Sequence, residues 1–174
     1  MIPIFLGLSA ANLLLLCMVF VLGVRVDTTD IPIHWYHHHT ALGVAVGLIA
    51  TLTHVVVYTY FMATCKWLQA ATDRAVLESA RYVEPALASK TRIFGIVIGA
   101  VAATMLVLFT GAALDSGLRS RSSSQIHLSA AVLVLAIHVI CAVAEYHQIR
   151  AQGRLMDEAL AILNRSSDVS VEHL

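Results

Sequence analysis

Charge is what this chain has least of. Only 13% of its 174 residues are Asp, Glu, Lys or Arg, against 59% that are hydrophobic, and the mean hydropathy is +0.80. A water-soluble domain needs a polar exterior, so this balance excludes the ordinary soluble class and points to an integral membrane protein. Lys plus Arg and Asp plus Glu both number 11. The formal net charge is therefore zero, and no basic surface marks a nucleic-acid partner. Cysteine is nearly as scarce. Cys17, Cys65 and Cys141 are far apart, with no CxxC pair, which excludes zinc-ribbon and thioredoxin-like chemistry and leaves isolated thiols in or beside apolar runs. Trp35 and Trp67 are the only tryptophans. There is no Walker loop, no nucleophile elbow, and no Ser/His/Asp set within one span.

What the chain does have is four long apolar runs, over residues 2–24, 40–67, 93–114 and 126–149. Each offers about 20 or more residues, enough at about 1.5 Å per residue to cross a hydrocarbon layer about 30 Å thick. None alternates with a period of two. All four are expected to be helices, because a lipid-embedded backbone must satisfy its own hydrogen bonds. The expected fold is an all-α, integral membrane four-helix bundle forming a single membrane domain over 1–174. The first run has no Lys/Arg-rich start and no obvious cleavage site, and is read as an uncleaved helix.

Basic residues set the expected orientation. Lys66, Arg74, Arg81, Lys90 and Arg92 lie between the second and third runs, and Arg150, Arg154 and Arg165 lie after the fourth. The other two connections hold Arg25, and Arg119 with Arg121. The positive-inside rule then puts both termini in the cytoplasm, in a bacterial inner membrane. Trp35 and Tyr36 suit the outer interface, and Lys66 with Trp67 the inner one. Two charged, Ala/Leu-rich segments, about 68–85 and 150–164, read as cytoplasmic helical extensions of the second and fourth spans, with Pro85 ending the first of them. In the third span Gly95, Gly99 and Ala103 recur every four residues and read as a helix-packing face.

Histidine is frequent for so apolar a chain, with nine residues. Four of them, His34, His37, His38 and His39, crowd the stretch IPIHWYHHHT at the start of the second span. One such box does not make a membrane di-iron enzyme, which needs several. A local Cu or Zn site remains open, using these residues with Asp27, Asp30, Asp115 or His127. Polar residues inside spans raise a functional hypothesis by default, and two histidines qualify. His54 falls about 14 residues into span two and His138 about 12 into span four. The two spans run in the same direction, so the two rings are expected at similar depth. At about 100° per residue, His127 and His138 return to within about 20° of one direction, with Glu145 on the same stripe. His39 and His54 are about 60° apart, with Gly43, Gly47 and Ala50 between them on that side. Ala131 and Val134 separate His127 from His138. Both helices thus read histidine, small residues, histidine. Glu145 is read as an interfacial carboxylate, with proton transfer or a quinone site as the functional alternative. His147, turned away from His138, reads as a headgroup-level residue. His54, if it were only structural, would be expected to bond Thr51, Tyr58 or Asn12.

This layout of spans two and four resembles the small four-helix membrane subunits that carry b-type haems, in which two helices each offer a histidine at two levels. The resemblance implies electron transfer across the membrane or with a quinone. It makes His54 and His138 the axial ligands of one haem iron, and His127 with one of His37, His38 and His39, best His39, the ligands of a second. The expected cofactor is haem b, one or two copies, with quinone as the redox partner. The expected companions are the lipid bilayer and other subunits of a respiratory or photosynthetic complex. One feature departs from the pattern. His39 and His54 are 15 residues apart but His127 and His138 only 11, a mismatch of about 6 Å along the axes. If the deep pair is level, His127 is expected opposite Gly43 rather than His39, and the deep pair is the stronger site. The competing expectations are a non-catalytic accessory subunit and an outer-face Cu/Zn-binding protein.

Overall fold

The computed structural model describes residues 1–28, 33–73, 77–115 and 121–171. They form four helices: α1 (Ile2–Thr28), α2 (Ile33–Asp73), α3 (Ser79–Asp115) and α4 (Arg121–Val171). No strand occurs among the described residues. The helices pack as a square: α1 and α3 each lie against both α2 and α4, and α2 touches α4 across the diagonal. Chain direction alternates. Phe5 of α1 shares a cluster with Phe61 near the end of α2, Ile93 near the start of α3 and Ile149 of α4. At the opposite end Gly23 meets His39, and Gly111 meets His127. One end of the bundle is therefore the histidine end. The other continues as a stalk built from α2, α3 and α4, closed by Cys65, Leu68, Tyr82, Ala86 and Ala159.

All four helices are long and apolar enough to cross a bilayer. Their outward faces are the reverse of a soluble bundle's: Leu14, Leu48, Phe109 and Ile140 are more than half exposed. The buried positions include Asn12, Thr53, His54, Thr104, His138, Glu145 and Gln152. Threonines on the spans return their hydroxyls to the preceding turn, as Thr59 does to Val55 O at 2.8 Å and Thr104 to Ala100 O at 2.9 Å. This satisfies a donor without leaving the helix, which an apolar setting requires. Exposed charge gathers on the stalk side, at Lys66, Arg92 and Arg150 and beyond them at Arg81 and Glu158, with Arg25 exposed at the histidine end.

Several boundaries differ from the sequence-based expectation. The second helix starts at Ile33, so His37, His38 and His39 sit within its first turns rather than in a connection. Residues 68–85 are not one extension of span two: α2 stops at Asp73, and α3 begins at Ser79 with Pro85 inside it. Pro85 does not end a helix: it is the seventh residue of α3, and the helix runs on through it with the Arg81 carbonyl losing its usual donor. The 150–164 segment is helical, as a continuation of α4. Gly95 and Gly99 form no packing face within this chain. Both are exposed, with nothing near a built Cβ, whereas Ala103 is buried. A four-residue step overshoots one turn by about 40°, so the stripe winds from the outside of the bundle to its inside. Cys17 is exposed, and Cys65 and Cys141 are buried free thiols.

Candidate functional site: two histidine pairs on the α2–α4 diagonal

Helices α2 and α4 bring four histidines together in two pairs. In the deep pair the His54 and His138 rings have centroids 5.2 Å apart and planes crossed at 65°. In the end pair His39 and His127 are 6.3 Å apart, crossed at 79°. The spacing mismatch does not separate the end pair. His39, not Gly43, meets His127, because an imidazole can lean several ångströms along the axis from its own Cα.

The deep rings are almost fully buried, and each is held from behind. His54 Nδ1 lies 2.6 Å from Glu145 Oε1, with the two side chains 3% and 1% exposed. His138 Nδ1 bonds the Val134 carbonyl at 3.1 Å, and its Nε2 is 3.4 Å from Thr104 Oγ1. His54 Nε2 is buried with no hydrogen-bond partner. Glu145 is thus no interfacial carboxylate. It follows His138 by seven residues, two helical turns, which carries it onto the same inward face. Thr51 bonds Gly47 O instead of His54. Asn12 is buried, with its own Oδ1 unpaired.

The end rings rest on glycines of the other two helices. A Cβ added at Gly23 of α1 would lie 2.8 Å from His39 Cε1, and one at Gly111 of α3 would lie 3.1 Å from His127 Cε1. His127 Nδ1 is 3.1 Å from Thr110 Oγ1. His39 Nδ1 is buried and unpaired. Beside the end pair lies a cavity of about 430 Å³, within the range of cofactor and ligand sites. Its wall includes both end histidines and Gly23, Gly43, Gly47 and Gly111, and its floor reaches Thr104 and Val134 beside His138.

No family model, curated protein or solved structure matches this chain. The site therefore has to be read from its own chemistry. Among the described residues no group of three His, Cys, Asp or Glu side chains is placed to hold a metal ion. His37 and His38 are exposed, and their rings meet Tyr36 and Trp35 edge-on. His147 is exposed. The side chains of Asp27, Asp30, His34, Asp115, Arg119, Arg121 and His173 lie outside the described residues.

Two facing imidazoles are what a flat, six-coordinate iron macrocycle requires. With about 2 Å from metal to nitrogen and about 1 Å from nitrogen to ring centre, the centroids of such a pair stand about 6 Å apart. The end pair already has that separation. The deep pair has to part by about 1 Å to reach it. With Nδ1 of His54 donating to Glu145, the unpaired Nε2 is left with its lone pair directed away from the carboxylate, as an axial ligand requires. The space over Gly23 and Gly111 is taken by the His39 and His127 rings themselves. Both levels offer imidazole donors, but only the end pair has the spacing and lines the cavity; the deep rings touch edge to edge, and His138 Nε2 faces Thr104.

Sequence reasoning missed Gly23 and Gly111. Neither has a second glycine close by in its helix, and only its neighbour across the bundle gives it a role. Thr104 and Thr110 were missed for the same reason.

Proposed function

We propose that this protein is a b-type haem-binding membrane subunit that carries electrons between a quinone pool and a partner complex. The observation that supports it best is the placement of two histidine pairs on one diagonal, with a cavity lined by the end pair. A haem bound between such rings supplies a one-electron iron(III)/iron(II) couple. The chain's own residues do the rest. His39 and His127 hold the end level, and His54 and His138 the deep level. Thr110 and Val134 fix the Nδ1 side of His127 and His138. The apolar outer faces meet lipid tails and keep water from the centre of the bundle. The charged stalk lies in the cytoplasm with both termini, following the excess of basic residues there. Its solvent-facing surface is where other subunits of a respiratory or photosynthetic assembly dock.

The test is optical. The full chain, purified from membranes of cells supplied with haem precursor, should give a reduced-minus-oxidised spectrum with b-type Soret and α bands. A preparation that is folded, saturated with added haemin and still bandless overturns the reading. The accessory-subunit reading is favoured by one observation, the close His54–Glu145 contact, which gives a core histidine a buried partner at Nδ1. In that case the protein stays colourless. A Cu or Zn role for His37 and His38 would instead appear as metal retained by the haem-free chain and lost when both are replaced.

A further inference from the structure

Charge on the stalk side is layered. Phe61, Ile93 and Ile149 pack in one cluster and mark a common level on α2, α3 and α4. Counted outward from that level at about 1.5 Å per residue, Arg92 and Arg150 lie about 1.5 Å along the stalk, Lys90 about 4.5 Å, and Lys66 and Arg154 about 7.5 Å. The first carboxylates in that direction, Asp157, Glu158 and Glu84, lie about 12 to 14 Å along it. Lys66, Arg92, Arg150 and Arg154 are exposed, and Lys90 is half-buried. Among the described residues none of the five is within salt-bridge distance of a carboxylate. Glu158, one turn from Arg154, is engaged by Arg81 at 3.6 Å instead. Arg150 and Arg154 also share one face of α4 four residues apart, a like-charge spacing that is unfavourable unless an anion offsets it. The half-buried rings of Tyr58, Tyr60 and Tyr146 pack against the same level, and Trp67 follows Lys66. Such rings gather where headgroups meet hydrocarbon.

We propose that this basic collar is a binding site for the headgroups of anionic phospholipids, such as phosphatidylglycerol, in the leaflet on the stalk side. The site rests on the four helices crossing a membrane and not on haem. Lysine and arginine lay their stems along the end of an apolar span and send their charge outward to headgroup depth. There a guanidinium fork meets two oxygens of one phosphate. A zwitterionic headgroup brings its own ammonium, which the collar repels, so the net charge of the lipid decides. The carboxylate-free band leaves the phosphate no competitor from the protein. Attraction of this kind is worth about fivefold in affinity per basic residue, and salt weakens it.

Native mass spectrometry of the full chain, released from micelles holding equal amounts of phosphatidylglycerol and phosphatidylcholine, tests this. Phosphatidylglycerol should be retained in preference. Arg92→Gln and Arg150→Gln should each cut the preference about fivefold, and the two together should cut it further. Arg81→Gln, outside the band and paired with Glu158, should leave it unchanged. Equal retention of the two lipids by the unaltered chain overturns the proposal. So does a preference that survives the double variant, or that falls as far in Arg81→Gln. Displacement of the lipid by an equal concentration of inorganic phosphate also overturns it, because the collar would then take free anions. If the variants do not fold, the unaltered chain decides. Its preference should decline when ionic strength is raised about tenfold, and a preference indifferent to salt overturns the proposal. A chain that alkaline carbonate strips from pure phosphatidylcholine vesicles overturns the membrane reading itself. A chain that stays on them but shows no lipid preference overturns only this site.

Discussion

Glu145 Oε1 lies 2.6 Å from His54 Nδ1, joining α4 to α2 between residues 91 apart in sequence. The contact crosses the diagonal of the bundle and is sealed from solvent. Removing one member leaves the other buried without its partner, which in comparable pairs costs about 3–5 kcal/mol. Glu145→Leu should therefore destabilise the haem-free chain strongly, as measured by unfolding in mixed detergent. Glu145→Leu combined with His54→Leu should recover part of the loss, because two apolar groups strand nothing. A double variant that costs the full sum of the singles would show the pair is not coupled.

Ligand replacement should respect the pairs. His39→Ala and His127→Ala are expected to abolish one spectral component, and His54→Ala and His138→Ala the other. Four variants that affect the bands independently would disprove the pairing along the diagonal.

The glycines give a steric prediction. Gly23→Ala and Gly111→Ala press a methyl onto the His39 and His127 rings. Overpacking of this kind costs about 1–3 kcal/mol. Each should weaken haem retention at the end level and leave the deep component in place. Gly99→Ala, with open space around its Cβ, should leave both components and raise stability by up to about 1 kcal/mol through helix propensity. Haem content per chain and thermal unfolding read both effects.

Ring orientation predicts a spectroscopic signature. The planes cross at 79° in the end pair and 65° in the deep pair, both nearer perpendicular than parallel. Crossed axial imidazoles leave two iron d orbitals nearly degenerate. The ferric protein should then show low-spin EPR signals dominated by one large g value. A conventional rhombic spectrum would mean that the rings turn parallel when haem binds.

In the stalk, burial and exposure should separate cleanly. The Arg81–Glu158 contact spans 3.6 Å between side chains that are both more than half exposed, so Glu158→Gln should change stability by less than about 1 kcal/mol. Leu68 is fully buried among Cys65, Tyr82 and Ala159, and Leu68→Ala should cost about 2–5 kcal/mol. Denaturant unfolding followed by circular dichroism compares the two.

The sequence by itself determined four helices, because run length and the lack of alternation admit nothing else, and it determined their alternating direction through short connections. It also singled out His54 and His138, since a polar group inside an apolar helix stands out without any structure. Helical phase put Glu145 on the His138 stripe but gave no distance, so its burial against His54 was decided only by the packing of α4 on α2. Packing likewise decided that His39 faces His127. A rise per residue counts Cα positions, whereas rings meet through side chains that lean. Gly23 and Gly111 have no signature of their own, because a missing side chain acquires meaning only from what occupies the space. The end of α2 at Asp73 and the start of α3 at Ser79 were hidden for a related reason: charged Ala-rich sequence is helix-forming throughout, whereas Leu77, Tyr82 and Val83 pack into the stalk core through contacts distant in sequence. Local propensity set the elements; contacts between residues distant in sequence set the site.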